Sequence, residues 1–174
     1  ALTNSKFVNG HAKVFQKEKV GIIDSAGVKV FPAIFEDVGV FEGTLIPVKK
    51  RGKWGYSDLE VNLAIPYEYS FASNFRDSLA IVAKSDLFGL IDNLGKTKIP
   101  FVFKSVEWMD TLLLVQDTAY GIINLAQDTL VPFQYEGALR FDDSVVQLKR
   151  FDDGYDYYDL RKQEFLRREE TLTE

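Results

Sequence analysis

The chain has no cysteine, one histidine and one methionine among 174 residues. Without cysteine there is no disulfide framework and no thiolate metal site. A Ser-His-Asp arrangement would have to be built on His11, which falls at the start of a predicted strand, where a surface imidazole is expected. Zinc lacks ligands of the usual types and spacing. No apolar run reaches the about 18 residues that a membrane-spanning helix needs. Clustered positive charge is scarce as well. The net charge is −5, and the single dense basic run, Lys49-Lys50-Arg51-Gly52-Lys53, reads as a solvated hairpin tip. That balance excludes nucleic acid as a partner, because binding it requires many Lys and Arg to release counterions.

Apolar and aromatic residues are plentiful: 46% of the chain is hydrophobic, with 14 Phe and 8 Tyr. They are distributed periodically. Val20-Gly21-Ile22-Ile23-Asp24, Trp54-Gly55-Tyr56-Ser57-Asp58, Phe88-Gly89-Leu90-Ile91-Asp92 and Tyr120-Gly121-Ile122-Ile123-Asn124 are four versions of one phrase, with glycines 34, 34 and 32 residues apart. Proline follows each glycine by eleven positions, at Pro32, Pro66, Pro100 and Pro132. Aromatic residues open each unit at Phe7, Phe41, Phe75, Trp108 and Phe141. A degraded fifth copy runs through Asp156-Tyr157-Tyr158-Asp159, with Asp156 in the place of the glycine and no proline.

Units of about 34 residues at 7–40, 41–74, 75–107 and 108–140, a partial unit at 141–167 and a charged tail at 168–174 therefore make up a single repeat domain. Within a unit the apolar period is two, so the elements are strands. "TLIPVKK" (44–50), "SLAIVAK" (78–84) and "TLLLVQD" (111–117) are first strands, the glycine phrase is the second, and "VKVFP", "NLAIP", "KTKIP" and "DTLVP" are third strands ending at the proline. Connections this short allow only antiparallel pairing. The predicted fold is all-β: three-stranded antiparallel meanders stacked into an open, twisted array. A small closed, propeller-like ring is the alternative.

Each repeated residue has a structural use. The glycine admits something close to the backbone, expected to be a large side chain from a neighbouring strand or unit. Asp24, Asp58, Asp92, Asn124 and Asp159 bond the backbone of the following turn. Proline belongs at a strand end or edge. The turn glycines Gly27 and Gly95 become Val61 and Gln127 in the other two units, where Asn62 and Asp128 are expected to make the turn instead.

Lys53-Trp54-Gly55-Tyr56-Ser57-Asp58 together with Ile65-Pro66-Tyr67-Glu68-Tyr69 resembles the tryptophan-glycine repeat proteins of bacteria, and the resemblance extends over about residues 7 to 166. Gly21, Trp54, Gly55, Asp58, Gly89, Asp92, Gly121 and the four prolines are the residues that define the repeat. Only one unit keeps the Trp, which suggests that packing is retained and no repeated site is. The resemblance implies a non-catalytic interaction module, often in exported or envelope-associated proteins, with no cofactor.

Two functions follow as expectations. The first is a scaffold that binds a protein partner across stacked units. The second is a carbohydrate-binding module in which Trp108, Tyr67, Tyr69 and Tyr135 stack on sugar rings. Paired carboxylates for glycoside hydrolysis are disfavoured, because a repeated Asp suits a turn while catalytic acids need differing environments. The acidic cluster Asp142-Asp143 with Asp152-Asp153-Gly154-Tyr155-Asp156 lacks calcium-loop spacing and reads as a solvated hairpin. Unpaired strand edges predict some self-association.

Overall fold

The computed structural model describes residues 6–166, and the tail predicted at 168–174 lies outside the described residues. There is no helix among the described residues, and so none long and apolar enough to cross a membrane. The described residues fall into two compact units that divide between Phe101 and Val102.

The first unit starts with a three-stranded sheet, β1 (His11–Gln16), β2 (Lys19–Asp24) and β3 (Lys29–Phe35), in that order. A four-stranded sheet follows: β4 (Asp37–Val38), β5 (Ile46–Lys50), β6 (Lys53–Ser57) and β7 (Leu63–Tyr69). The third is β8 (Phe71–Ala72), β9 (Leu79–Lys84), β10 (Leu87–Asp92) and β11 (Thr97–Phe103). The second unit has two further four-stranded sheets. These are β12 (Ser105–Met109), β13 (Leu112–Gln116), β14 (Tyr120–Ile123) and β15 (Thr129–Tyr135), then β16 (Gly137–Arg140), β17 (Val145–Lys149), β18 (Tyr155–Asp159) and β19 (Glu164–Phe165). Every sheet is open, and its strands pair antiparallel, as β1 does with β2, β5 with β6 and β9 with β10.

The predicted meander is the core of each sheet, and in four of the five a short leading strand is added to it. Val38 pairs with Val48, and Ala72 with Val82. At two residues, β4 and β8 are too short to show a sequence period.

The third strands do not end at proline; β3, β7, β11 and β15 each run three residues beyond it. β3, β7 and β15 cross a bulge there. In the first sheet Ile22 pairs with Phe31 and Val20 with Phe35, so two residues of β2 face four of β3 across Gly21. The same shift recurs across Gly55 and Gly121.

This bulge explains the eleven-residue spacing. A Cβ on Gly21 would stand 2.6 Å from the Phe31 carbonyl oxygen, on Gly55 2.6 Å from that of Ile65, on Gly89 2.5 Å from that of Ile99, and on Gly121 2.9 Å from that of Val131. In all four units the intruding carbonyl belongs to the residue just before the proline. The visitor expected to be a large side chain is therefore backbone, with a ring close by only at Gly121, where Phe133 approaches to 3.1 Å. Proline suits the bulge because it has no ladder hydrogen to leave unpaired. In the degraded copy β19 reaches only Phe165, opposite Tyr158, and Asp156 keeps its side chain there, accepting hydrogen bonds from Tyr135 and Arg150.

Residues flanking the glycine share a face, and that face packs on the next sheet. Val20, Ile22, Phe31 and Phe35 cluster with Val38, Ile46 and Val48. Tyr56, Ile65 and Tyr69 cluster with Ala72, Ala80, Val82 and Ile91. In the second unit Ile122, Val131 and Tyr135 cluster with Val146, Leu148 and Tyr158. Each core thus lies between consecutive sheets, so an isolated unit has nothing to bury its face against.

The Asx turns form as expected in their acceptor, but not in their strained residue. Asp24 accepts from the amides of Ala26 and Val28, Asp92 from Leu94 and Lys96, and Asp159 from Arg161 and Lys162. Gly27 and Gly95 take positive φ, and in the other two turns Val61 (φ 69°) and Gln127 (φ 72°) do so themselves. A β-branched residue there is strained by about 1–2 kcal/mol. Asn62 and Asp128 do not make the turn; they brace it. Asn62 Nδ2 donates to Asp58 Oδ2, and Asn124 Nδ2 donates to Asp128 Oδ2, the same bridge with donor and acceptor exchanged.

These bonds hold carboxylates below their ordinary range, Asp58 chiefly through the Asn62 side chain, Asp92 chiefly through the Lys96 amide and Asp142 chiefly through the Ser144 amide. The unfolded chain then binds more protons than the folded one, so this stabilisation is complete above the ordinary value of 3.8 and is lost as pH falls through the lowered folded values. Asp58→Asn, which removes this carboxylate, is expected to lower the melting temperature modestly at pH 7 and to reduce its fall between pH 5 and about pH 3. An undiminished fall measured by differential scanning fluorimetry would count against this assignment.

Candidate functional site

The repeat lets each position be compared with its equivalent 34 residues away. In the first unit the seam between the second and third sheets is closed. Tyr56 is fully buried, its hydroxyl donates to the Ser73 carbonyl at 2.8 Å, and burial pushes the phenol far above its usual range. Phe75 covers that ring at 4.8 Å. Asn74 adds a clamp: its Oδ1 accepts from the Val40 amide and its Nδ2 donates to the Val40 carbonyl.

The seam between the first and second sheets carries smaller or different residues at these positions. Ile22 stands where Tyr56 does, Val40 where Asn74 does, and His11 where Leu45 does. A half-open, largely apolar groove of about 240 Å³ results, lined by Val8, Ala12, Ile22, Val40 and Phe41 together with Lys6 and Lys13. His11 Nδ1 lies 2.8 Å from the Asn9 carbonyl, and its ring is 4.4 Å from Phe41. Lys13 is paired to Asp37 at 2.8 Å. The groove therefore has apolar walls, one imidazole and the amines of Lys6 and Lys13, with no carboxylate among its lining residues.

Tyr69 and Tyr135, expected as platforms for sugar, are only 1% exposed. Both are core residues: Tyr69 belongs to the cluster with Tyr56, and Tyr135 donates its hydroxyl to Asp156. The reason is their frame position, on the inward face of the third strand just past the bulge. Tyr67 is half-buried against the first cluster, and Trp108 is half-buried on β12 opposite Leu113. Tyr67 and Tyr69 belong to the first unit, Trp108 and Tyr135 to the second.

The acidic hairpin is engaged internally. Asp142 accepts from the Ser144 and Val145 amides, Asp152 from Arg150 and the Gly154 amide, and Asp153 lies 3.7 Å from Lys149. Among the described residues no group of three or more His, Asp or Glu side chains is arranged to hold a metal ion.

The basic run is a two-residue hairpin. Arg51 and Gly52 both have positive φ, as the tight turn between paired Lys50 and Lys53 requires. Glu36 fixes the tip by accepting from both amides, at 2.7 and 2.8 Å, and its carboxyl is lowered chiefly by the Gly52 amide. Lys50, Arg51, Lys53 and Tyr67 line a second cavity, of about 350 Å³. Sequence reading took this run as solvent-exposed and missed the cavity; subtracting one unit from the next exposes the charge left over.

Tandem antiparallel sheets docked through in-frame residues define a β-repeat protein. The WG containing repeat family matches residues 21–54, 54–87 and 120–150, more than half of the sequence, and the chain belongs to that family. No curated protein matches it. Among solved structures, Kluyveromyces lactis Hsv2 is similar at 8% identity and a TM-score of 0.55, over 91% of this chain and 59% of that one. The dihydro-heme d1 dehydrogenase NirN, solved in complex with DHE, is similar at 14% identity and a TM-score of 0.56, over 95% of this chain and 46% of that one. The chain spans about half the length of these structures, and at such identities the likeness is one of fold.

Proposed function

We propose that this chain is a non-catalytic interaction module that holds a protein partner. The observation that carries the reading is the groove of the first seam, which is left apolar and half-open where the equivalent positions of the next seam are filled by Tyr56 and Asn74. An apolar side chain of a partner fits that opening, and Phe7, 54% exposed, extends the apolar surface nearby in sequence. The repeated glycines, prolines and Asx residues support the same reading, since all are occupied by folding.

Carbohydrate binding loses two of its four expected rings to the core, which favours the protein reading. Self-association through sheet edges is opposed where edge strands β3, β7, β11 and β15 carry a proline.

The test is affinity capture from an extract of the source organism, with wild type and Val40→Asp immobilised in parallel. Val40 is 42% exposed, so the substitution leaves the fold intact and puts a carboxylate in the groove. One protein retained by the wild type and lost from the variant is the expected result. Polysaccharide alone, released by free sugar, would overturn the proposal.

A further inference from the structure

The cavity at the β5–β6 hairpin has an internal control. One unit later, Lys84 Nζ pairs with Glu68 at 3.1 Å and lies 5.1 Å from the rings of both Tyr69 and Phe101. That corner is a lysine on an aromatic wall, neutralised by a carboxylate. Subtracting 34 places Lys50 at the position of Lys84, Tyr67 at that of Phe101 and Phe35 at that of Tyr69. The carboxylate is missing: Ile34, 46% exposed, stands where Glu68 would.

The first corner thus keeps the cation and the wall without the acid, and adds Arg51 and Lys53 to the same cavity. Among the described residues, Lys50, Arg51 and Lys53 form no ion pair. Glu36, the acid bound at the hairpin tip, is turned to the backbone amides of Arg51 and Gly52. A tip braced in this way presents its cations from a defined position.

We propose that Lys50, Arg51, Lys53 and Tyr67 form a receptor for the carboxylates of an acidic peptide segment on the partner protein. The chain itself shows which group suits such a corner, since in the next unit Glu68 supplies it in cis. Three cations in a chain of net charge −5 are too few for the counterion release that drives nucleic-acid binding, but they match two or three Asp or Glu side chains. The cavity stands at the hairpin-tip end of the strands, while the apolar groove lies at the end where β1 begins. The proposal rests on the protein-partner reading and uses a different surface from the one tested by Val40→Asp.

The test is fluorescence anisotropy with a fluorescein-labelled hexaglutamate peptide, a neutral hexaglutamine peptide and labelled polygalacturonate as probes. Wild type is expected to bind hexaglutamate in preference to hexaglutamine, with affinity falling as salt is raised. Lys50→Glu/Lys53→Glu should weaken binding by about tenfold or more. A matched reversal elsewhere, Lys29→Glu on exposed β3, should leave it unchanged beyond about twofold. Ile34→Glu supplies the missing acid in cis, and it is expected to weaken peptide binding while leaving the melting temperature unchanged or raised.

Equal loss in Lys29→Glu, undiminished binding in the double variant or in Ile34→Glu, or no binding of hexaglutamate by wild type would overturn the proposal. Polygalacturonate bound through Lys50 and Lys53 in place of the peptide would overturn it in favour of an acidic glycan. The two readings separate in the capture experiment: a partner still retained by the double variant leaves the interaction module standing and removes this corner from it.

Discussion

Gly89→Ala is expected to destabilise the protein by about 3 kcal/mol or more, because the new methyl would have no room and nothing soft to displace. Its Cβ would stand 2.5 Å from the Ile99 carbonyl oxygen and 2.9 Å from that of Pro100, both of them backbone. Relief would require withdrawing β11 from β10. Gly137→Ala is the control, since its nearest neighbour would be Lys149 Cβ at an ordinary 3.8 Å, and a change within about 0.5 kcal/mol is expected. Urea denaturation of the two variants measures the difference. Equal midpoints would mean that the glycine serves some purpose other than the close crossing.

Tyr56→Ala should cost a further about 3–5 kcal/mol, the range for removing a large buried aromatic. The ring is fully buried in the seam and covered by Phe75, so the cavity left behind lies between two sheets. Tyr56→Phe separates hydrogen bond from packing: it leaves the Ser73 carbonyl without its hydroxyl donor and should cost about 1 kcal/mol. If the two variants lost the same stability, the hydroxyl and not the ring would be holding the seam.

Much of the architecture was legible in the sequence because it is written in spacing. Glycine and proline eleven residues apart announced the repeat, and the period of two announced strands. The cause of that spacing was not legible. A glycine opposite a side chain and a glycine opposite a carbonyl look identical in one dimension, and only the register shift between Ile22–Phe31 and Val20–Phe35 separates them. The strand Asp37–Val38 was hidden because two residues have no period. Val61 at positive φ was hidden because a β-branched residue is the last choice for that conformation.

The candidate site was less legible, and the reason lies in the frame itself. Tyr69 and Tyr135 read as platforms because they are aromatic, yet their recurrence in frame is the mark of core packing between units, and both are buried. The residues that distinguish one seam from the next are those that differ at equivalent positions: Ile22 against Tyr56, Val40 against Asn74, Ile34 against Glu68. A groove and an unneutralised cationic corner arise at these differences. In a repeat protein, agreement between units reports folding, and disagreement shows where one unit is free to do something the others do not.

The most direct measurement of this division takes thermal stability and partner retention on the same set of variants. Tyr56→Ala and Ile65→Ala alter buried core residues, while Val40→Asp and Lys50→Glu alter exposed residues of the groove and the cationic corner. The account predicts that the first pair lowers the melting temperature by several degrees or more, and that the second pair leaves it within about a degree while losing the captured partner. Full retention of the partner by both Val40→Asp and Lys50→Glu would contradict it.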